Sequence, residues 1–194
     1  MIPIIHKIND VSELDSVPTN FGIEADLRHN RGKIIMDHDV SDQLNPTFFE
    51  DFLENYNHKL LVANIKESGI EKKVIEFLSK KNINNFFLLD VEFPFILKNY
   101  NKYGQFLSLR FSKYENIMSI KPFISKIKWI WIDTYEAFEL DDEIANVLRN
   151  FKLCLVSPSR WGNGKMINNY LKMFQDFNLQ IEAVMVDKNE EIEI

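Results

Sequence analysis

The sequence predicts an α/β fold in which eight parallel strands close into a compact (β/α)8 barrel, the short form of a TIM barrel. Short apolar runs alternate with segments of helical spacing along all 194 residues. Most runs are almost continuously apolar, as parallel strands buried on both faces are. Eight such runs favour a closed barrel, with an open doubly wound sheet as the alternative. Because no linker or low-complexity block interrupts the alternation, residues 1–194 are predicted to form a single domain.

The strands are predicted in order along the chain, with one short addition. Lys33–Met36 follows Asn30-Arg31-Gly32, which is typical of a hairpin turn. The eight barrel strands are predicted at residues 3–8, 22–29, 60–66, 85–91, 105–111, 128–133, 152–157 and 181–187.

Helices are predicted between these strands. The first begins with Asn45-Pro46, a favourable cap and first-turn pair. Residues 10–17 are predicted to form one or two turns, and nothing of helical length follows the eighth strand, which fits a barrel near the lower length limit of about 200 residues. The predicted helices span residues 46–56, 69–80, 92–103, 114–125, 141–150 and 165–177.

Composition excludes several classes of partner. The net charge is −6 and the sequence pI about 5.3, which does not favour binding to nucleic acid or to an anionic membrane. No apolar run approaches the roughly 18–20 residues that span a bilayer, and no signal peptide is recognisable at the N-terminus. We therefore predict a cytoplasmic protein without stable membrane insertion. Cys154 lies in an apolar run and is predicted to be a buried structural thiol.

The predicted strands end in polar or charged residues. The carboxyl ends of barrel strands converge on one rim, where barrel enzymes keep their active sites. A ring of carboxylates and cations there suggests a metal and an anionic substrate. The residues concerned are His6, Lys7, Glu24, Asp26, Arg28, Asn64, Lys66, Asp90, Glu92, Arg110, Asp133, Ser157 and Asp187.

Glu24 and Asp26 are two residues apart on one strand, so their side chains project from the same face. Two carboxylates on one face repel each other unless a cation lies between them. Inside a barrel mouth a hard divalent ion such as Mg²⁺ or Ca²⁺ would satisfy both. The alternative is an ion pair with Arg28 or a lysine.

The four histidines fall into two groups by position. His6 ends the first strand and His38 follows the hairpin, so both are candidates for general acid and base near the acidic pair. His29 and His58 lie in turn or loop contexts and are predicted to be surface residues.

The loop after the seventh strand, residues 158–165, leads into a predicted helix. Barrels often bind phosphate near their seventh and eighth loops and at a helix N-terminus. Arg160 is therefore a candidate to hold an anion and Trp161 to line a pocket. An ordinary glycine-rich connection is the alternative.

Residues 21–39 carry a recognisable order of motifs: G-x-E-x-D, a short turn with glycine, an apolar strand and His-Asp. This order resembles the signature of the glycerophosphodiester phosphodiesterase family. That family also has H-R-G after its first strand and E-x-K on its third, where this chain has His6-Lys7-Ile8 and Asn64-Ile65-Lys66. The motifs cover about the first third of the chain.

The resemblance implies a role for each matching residue. His6 and His38 would be the acid/base pair, and Glu24 and Asp26 metal ligands. Lys66 would contact the phosphate, and Lys7 would stand in for the family's arginine. Asn64 would help to bind the ion through its amide oxygen, with lower affinity than the carboxylate that it replaces.

The predicted function is metal-dependent hydrolysis of a glycerophosphodiester-like small molecule by His/His acid–base catalysis. Phosphatidylinositol-specific phospholipases C share the barrel and the paired histidines, so the sequence does not separate the two groups. Two other functions stay open: a metal-dependent lyase or isomerase acting on a sugar phosphate, and a catalytically weakened barrel that binds a phosphorylated ligand. The prediction requires that His6 and His38 share one mouth and that Glu24 and Asp26 are not paired with arginine or lysine.

Overall fold

The computed structural model describes residues 1–40 and 45–188. In this part of the chain, strands and helices alternate from β1 to β9. The strands are β1 (Ile2–Ile5), β2 (Gly22–Asn30), β3 (Lys33–Met36), β4 (Leu60–Ile65), β5 (Phe86–Leu89), β6 (Ser108–Phe111), β7 (Trp129–Ile132), β8 (Lys152–Val156) and β9 (Ile181–Val186). The helices are α1 (Val11–Leu14), α2 (Phe49–Asn55), α3 (Glu71–Lys80), α4 (Phe93–Tyr103), α5 (Ile117–Ile120), α6 (Asp142–Leu148) and α7 (Ile167–Asp176).

Eight of the described strands form a nearly closed parallel barrel. Their order is β5-β4-β2-β1-β9-β8-β7-β6, so the first and last strands of the chain are neighbours, and β3 pairs antiparallel with β2 outside this order. Closure between β5 and β6 is weaker: one isolated bridge joins Leu88 to Leu107, and Ser108 Oγ donates to Leu88 O at 2.8 Å. The predicted (β/α)8 barrel and its hairpin are confirmed.

The barrel has an inner and an outer core. Inside, twelve buried residues of the described chain fill the barrel, with the Phe87 and Trp129 rings stacked at 4.6 Å. A larger buried cluster fills the layer between the strands and the helices. Cys154 belongs to the inner cluster and is fully buried, as predicted, and burial raises the pKa of its thiol.

Two predicted helices are shorter than expected. The segment predicted to start at Asn45-Pro46 begins its helix at Phe49, because Thr47 O accepts from Met36 N and Phe48 bridges to Ile35, which keeps this stretch extended. The helix predicted at 114–125 reduces to α5 and a 3₁₀ turn that contains Pro122, which has no amide hydrogen to continue an α-helix.

The surface prediction for His58 was wrong. His58 is buried, and its Nε2 lies 3.0 Å from Val17 O in the loop before β2. The sequence around His58 does not predict this contact, because Val17 is distant in the chain. His29 is exposed, as predicted.

Gly104, at the end of α4, permits a close backbone approach. A Cβ added to this residue would lie 1.8 Å from Lys126 O, while Gly104 O accepts from Lys128 N at 3.0 Å.

Gly104→Ala therefore forces the two segments apart and should lower the free energy of unfolding by about 3 kcal/mol. Urea unfolding measures the loss. Gly164→Ala is the control, because the added methyl group would lie 3.3 Å from its nearest neighbour, Ser159 Cβ. Equal effects of the two substitutions would contradict this account.

Candidate active site

A cavity of about 170 Å³ lies at the carboxyl ends of the barrel strands. Its first half is lined by residues in β2 and β4 and by residues that directly follow β1, β3 and β4. These include five residues singled out from the sequence: His6, Glu24, His38, Asn64 and Lys66. The requirement that both histidines share one mouth is therefore met.

His6 lies directly after β1. Because Ile5 pairs with Ile23 in β2, His6 comes beside Glu24, and its Nε2 lies 3.8 Å from Glu24 Oε2. On the other side, Arg160 Nη1 lies 2.9 Å from His6 Nδ1, and Asp187 Oδ1 lies 3.5 Å from the same nitrogen. Burial and the neighbouring Arg160 lower the pKa of His6 to about 4, against the opposing effect of Asp187. The ring is therefore neutral at neutral pH and accepts a hydrogen bond from Arg160.

Glu24 is almost completely buried in the barrel mouth. Its Oε1 accepts from Asn64 Nδ2 at 2.8 Å, and its Oε2 accepts from the backbone N–H of Lys7 at 2.8 Å. Lys7 has a φ of 59°, a left-handed conformation that is unfavourable for residues other than glycine. Burial and the nearby Asp26 carboxylate raise the pKa of Glu24 to about 7, and the hydrogen bond from Asn64 opposes this rise.

Asp26 is fully buried and has two kinds of partner. Asn9 Nδ2 donates to its Oδ2 at 2.9 Å, while Asn9 Oδ1 accepts from the Asp26 backbone N–H at 2.8 Å. Lys66 Nζ lies 3.3 Å from Asp26 Oδ1. The alternative of a lysine partner thus applies to Asp26, so the requirement that neither carboxylate is paired with arginine or lysine is not met there. It is met at Glu24, which has no arginine or lysine partner among the ion pairs of the described residues.

The oxygen atoms near this pair suit a hard divalent ion. Within residues 1–40 and 45–188, Asn64 Oδ1 and Asp26 Oδ1 are buried and accept no hydrogen bond, although Asp26 Oδ1 has the Lys66 ammonium nearby. An uncompensated buried oxygen is unfavourable, and a cation would satisfy it. No three His, Cys, Asp or Glu side chains of the described residues are grouped to hold a metal, so the donor set is two carboxylates and the Asn64 amide. The residues fit the implied ion with one amide in place of an acid.

His38 is positioned by its neighbours in sequence and in space. Its Nδ1 lies 2.8 Å from Asp39 Oδ1. Arg28 donates to the backbone oxygen of His38 at 2.9 Å and, more weakly, to that of Lys66 at 3.4 Å. Arg28 therefore fixes the two segments that carry His38 and Lys66.

The second half of the cavity is an ionic cluster across the β5–β6 junction. Arg110 Nε donates to Asp90 Oδ1 at 2.7 Å, and Arg110 Nη1 pairs with Asp133 Oδ2. Burial raises the pKa of Asp133 to about 6, and Arg110 opposes this shift. Tyr135 and Trp161 line the same half, with ring centroids 5.7 Å apart.

Not every predicted binding residue faces the cavity. Arg160 and Trp161 line it, whereas the exposed Lys7 acts on Glu24 through its backbone and is absent from the lining. The predicted metal ligand Asp26 is also absent from the lining, because it is fully buried beneath the cavity residues that surround it. Reasoning from sequence missed the roles of Asn9, Arg28 and Tyr135. Asn9 directly follows His6-Lys7-Ile8, and this position was a signal that it could contribute to the site. No sequence motif marks Tyr135 as a residue of the cavity.

Comparison with known proteins gives the fold. No protein-family model matches the chain, and no curated protein matches it significantly. Among solved structures, the chain is similar to a glycerophosphoryl diester phosphodiesterase from Parabacteroides distasonis, with a TM-score of 0.58 and 13% identity over 96% of this chain and 82% of that one. It is also similar to a mutant tryptophan synthase alpha-subunit from Pyrococcus furiosus, with a TM-score of 0.54 and 11% identity over 96% and 86% of the two chains. Both likenesses span nearly the whole chain and show the barrel fold. In the described part of the chain, no helix is long and apolar enough to cross a membrane.

Proposed function

We propose that this chain hydrolyses a small-molecule phosphodiester in the cavity at the barrel mouth. The observation that carries the proposal is the meeting of two histidines with Glu24, Asn64 and three cationic side chains in one cavity of about 170 Å³. The motif order in residues 21–39 and the shared barrel of a phosphodiesterase support the same reaction class.

Lys66 and Arg160 are the cations that would hold the phosphate. Each already contacts a site residue: Lys66 pairs with Asp26, and Arg160 donates to His6. An entering phosphate would compete for both. It would give Arg160 a doubly charge-assisted contact, which is stronger than its bond to a neutral imidazole, and would give Lys66 a second anionic partner beside Asp26. Binding of the diester would thus release His6 Nδ1 and weaken the hold of Lys66 on the Asp26 carboxylate.

A divalent ion, held by Glu24, Asp26 and Asn64, would neutralise phosphate charge and orient the ester. The chain would provide the carboxylate oxygens of Glu24 and Asp26 and the amide oxygen of Asn64 as ligands. Glu24 and Asp26 must both be ionised for this, so release of Asp26 from Lys66 and binding of the ion would favour each other.

The two histidines would transfer the protons. Neutral His6 would take the proton of the attacking water, or of a neighbouring substrate hydroxyl, as the new O–P bond forms. His38, oriented by Asp39 at Nδ1, would donate a proton to the alcohol oxygen as its bond to phosphorus breaks. In this assignment His6 is the base and His38 is the acid.

The proposal is tested by a panel of phosphodiesters with Mg²⁺, Ca²⁺, Mn²⁺ or a chelator present. The panel includes glycerophosphodiesters, glycerol-phosphate polymers and lysophospholipids, and release of the alcohol is measured. We expect turnover of at least one diester in the presence of a divalent ion. Inert diesters together with turnover of a phosphomonoester sugar would replace this proposal by a lyase or isomerase.

A second candidate is a barrel that binds a phosphorylated ligand without cleaving it. The ion pair between Lys66 and Asp26 and the amide at position 64 favour this function, because both reduce the negative charge available to a metal. Binding of a phosphorylated ligand without turnover, and without a thermal shift on addition of divalent ions, would support it.

Asn64→Asp tests the ion site without reference to activity. The substitution removes the amide donor to Glu24 and adds a third buried carboxylate, so the free energy of unfolding without metal should fall by about 2–4 kcal/mol. A divalent ion should restore the loss, with a larger thermal shift and about tenfold tighter binding than in the unmodified chain. Asn84→Asp, at an exposed position before β5, is the control. A variant that Ca²⁺ and Mg²⁺ fail to stabilise would refute the ion site.

A further inference from the structure

A second, larger hollow lies next to the candidate active site. It has a volume of about 500 Å³ and lies between α4 and the segment that follows β6. Asp90 and Arg110 line both hollows, so this groove begins where the active-site cavity ends. They are neighbours at the β5–β6 junction, where the barrel wall has one backbone bridge and the Asp90–Arg110 ion pair borders both hollows.

Part of the groove wall is apolar and includes exposed aromatic rings, beside polar residues such as Glu115 and Asn116. Ile96 and Leu109 form buried parts of the lining, and Phe93 and Tyr114 are 50% and 67% exposed. Large apolar side chains exposed in a group mark binding surfaces more often than isolated ones do.

The exposed apolar surface continues beyond the groove on both sides. Leu97 is four residues after Phe93 on α4, which places both on one helix face, and it is 51% exposed. Met118 is 54% exposed and lies next to Ser119, which lines the groove. A ligand in the groove would therefore find an apolar surface longer than the groove itself.

We propose that this groove binds an apolar chain attached to the phosphodiester, so that the substrate is an amphiphile rather than a fully polar diester. The inference rests on the proposed function, because that function places the phosphate beside Lys66 and Arg160. A substituent leaving the cavity across the Asp90–Arg110 ion pair would enter the groove, since those two residues border both hollows. A fully polar substituent would leave Phe93 and Tyr114 in water.

Binding of alkyl phosphates tests the groove without requiring turnover. The probes are ethyl phosphate and octyl phosphate, both below the concentration at which octyl phosphate forms micelles, and calorimetry gives the dissociation constants. Each buried methylene group increases affinity about fourfold, so partial burial of the longer chain should make octyl phosphate bind at least about tenfold more tightly. Equal affinities, or no binding of either probe, would overturn the proposal.

Ser119→Trp fills the groove from an exposed position and should not disturb the core. It should abolish the preference for octyl phosphate and leave the affinity for ethyl phosphate unchanged. Ser79→Trp, at an exposed position of α3, is the matched control and should keep the preference. The same affinities in both tryptophan variants would refute the assignment to this groove.

Two further measurements distinguish the proposed groove from a membrane-binding surface and from the proposed hydrolysis. Binding to phosphatidylcholine vesicles without chain-length preference for monomeric phosphates would assign the surface to a membrane and overturn the proposal. Chain-length preference in a chain that cleaves no diester would retain the groove and refute the proposed hydrolysis, whereas hydrolysis without preference would do the reverse.

Discussion

Alanine in place of His6 or His38 is expected to lower the turnover number by about 10²–10⁴-fold in each case. The expectation follows from the proposed proton transfers: without His6 no group accepts the proton of the nucleophile, and without His38 none protonates the leaving alcohol. Because the two act in one reaction step, the double variant should lose much less than the product of the two single effects.

The measurement is steady-state hydrolysis of whichever phosphodiester the panel identifies, with folding monitored by thermal unfolding. His29→Ala is the matched control, because His29 is exposed and its Nε2 accepts from the backbone of Gly32 outside the cavity. A leaving group of low pKa, such as nitrophenol, should rescue His38→Ala but not His6→Ala. Retained turnover of the ordinary substrate in either variant would remove that histidine from the mechanism.

Arg110→Met is expected to lower the free energy of unfolding by about 2–3 kcal/mol at neutral pH. The substitution keeps much of the side-chain volume but leaves Asp90 and Asp133 without their shared cation. Breaking a buried pair costs about 3–5 kcal/mol, and the smaller value reflects the partial exposure of Arg110 and Asp90.

The loss should depend on pH with a defined sign. Asp133 has a folded-state pKa of about 6, above its ordinary value of 3.8, so the folded chain binds more protons than the unfolded chain between these values. Its ionisation therefore destabilises the fold as the pH rises through this window. Removal of Arg110 raises this pKa further, so the deficit of the variant should be larger at pH 7.5 than at pH 5.

Urea unfolding at the two pH values checks this prediction. Lys121→Met is the control, because it removes an exposed lysine that pairs with Glu143 at the surface. An exposed pair contributes little, so that variant should differ from the parent by less than about 1 kcal/mol. A deficit in Arg110→Met that is the same at pH 5 and pH 7.5 would show that Asp133 is not its source.

The barrel could be predicted from the sequence because its strands carry their own signal. Runs such as Trp129–Ile132 are apolar at every position, as burial on both faces requires. Helix boundaries were less predictable. The start of α2 depends on pairing of the preceding residues with β3, and Asn45-Pro46 contains no sign of that contact.

The candidate site was predictable to the extent that strand register defines it. Asp26 and Asn64 are register partners in β2 and β4, so their proximity follows from the strand assignments. The strand assignments do not predict which residue each charged side chain contacts. Whether Lys66 faces a ligand or Asp26, and whether Arg160 reaches His6, depends on long side chains from loops whose paths the sequence does not specify.

The sparse pairing of β5 with β6 has a consequence for motion. Facing edges with one backbone bridge leave amide hydrogens outside the ladder, so hydrogen exchange should be faster there than at the β1–β9 junction, where four residue pairs are in register. The Asp90–Arg110 ion pair joins the same two strand ends and holds them together through side chains where few backbone hydrogen bonds do so. Transient opening of the barrel would thus begin beside the candidate active site, and a ligand that contacts both edges would close the ring that the backbone leaves incomplete.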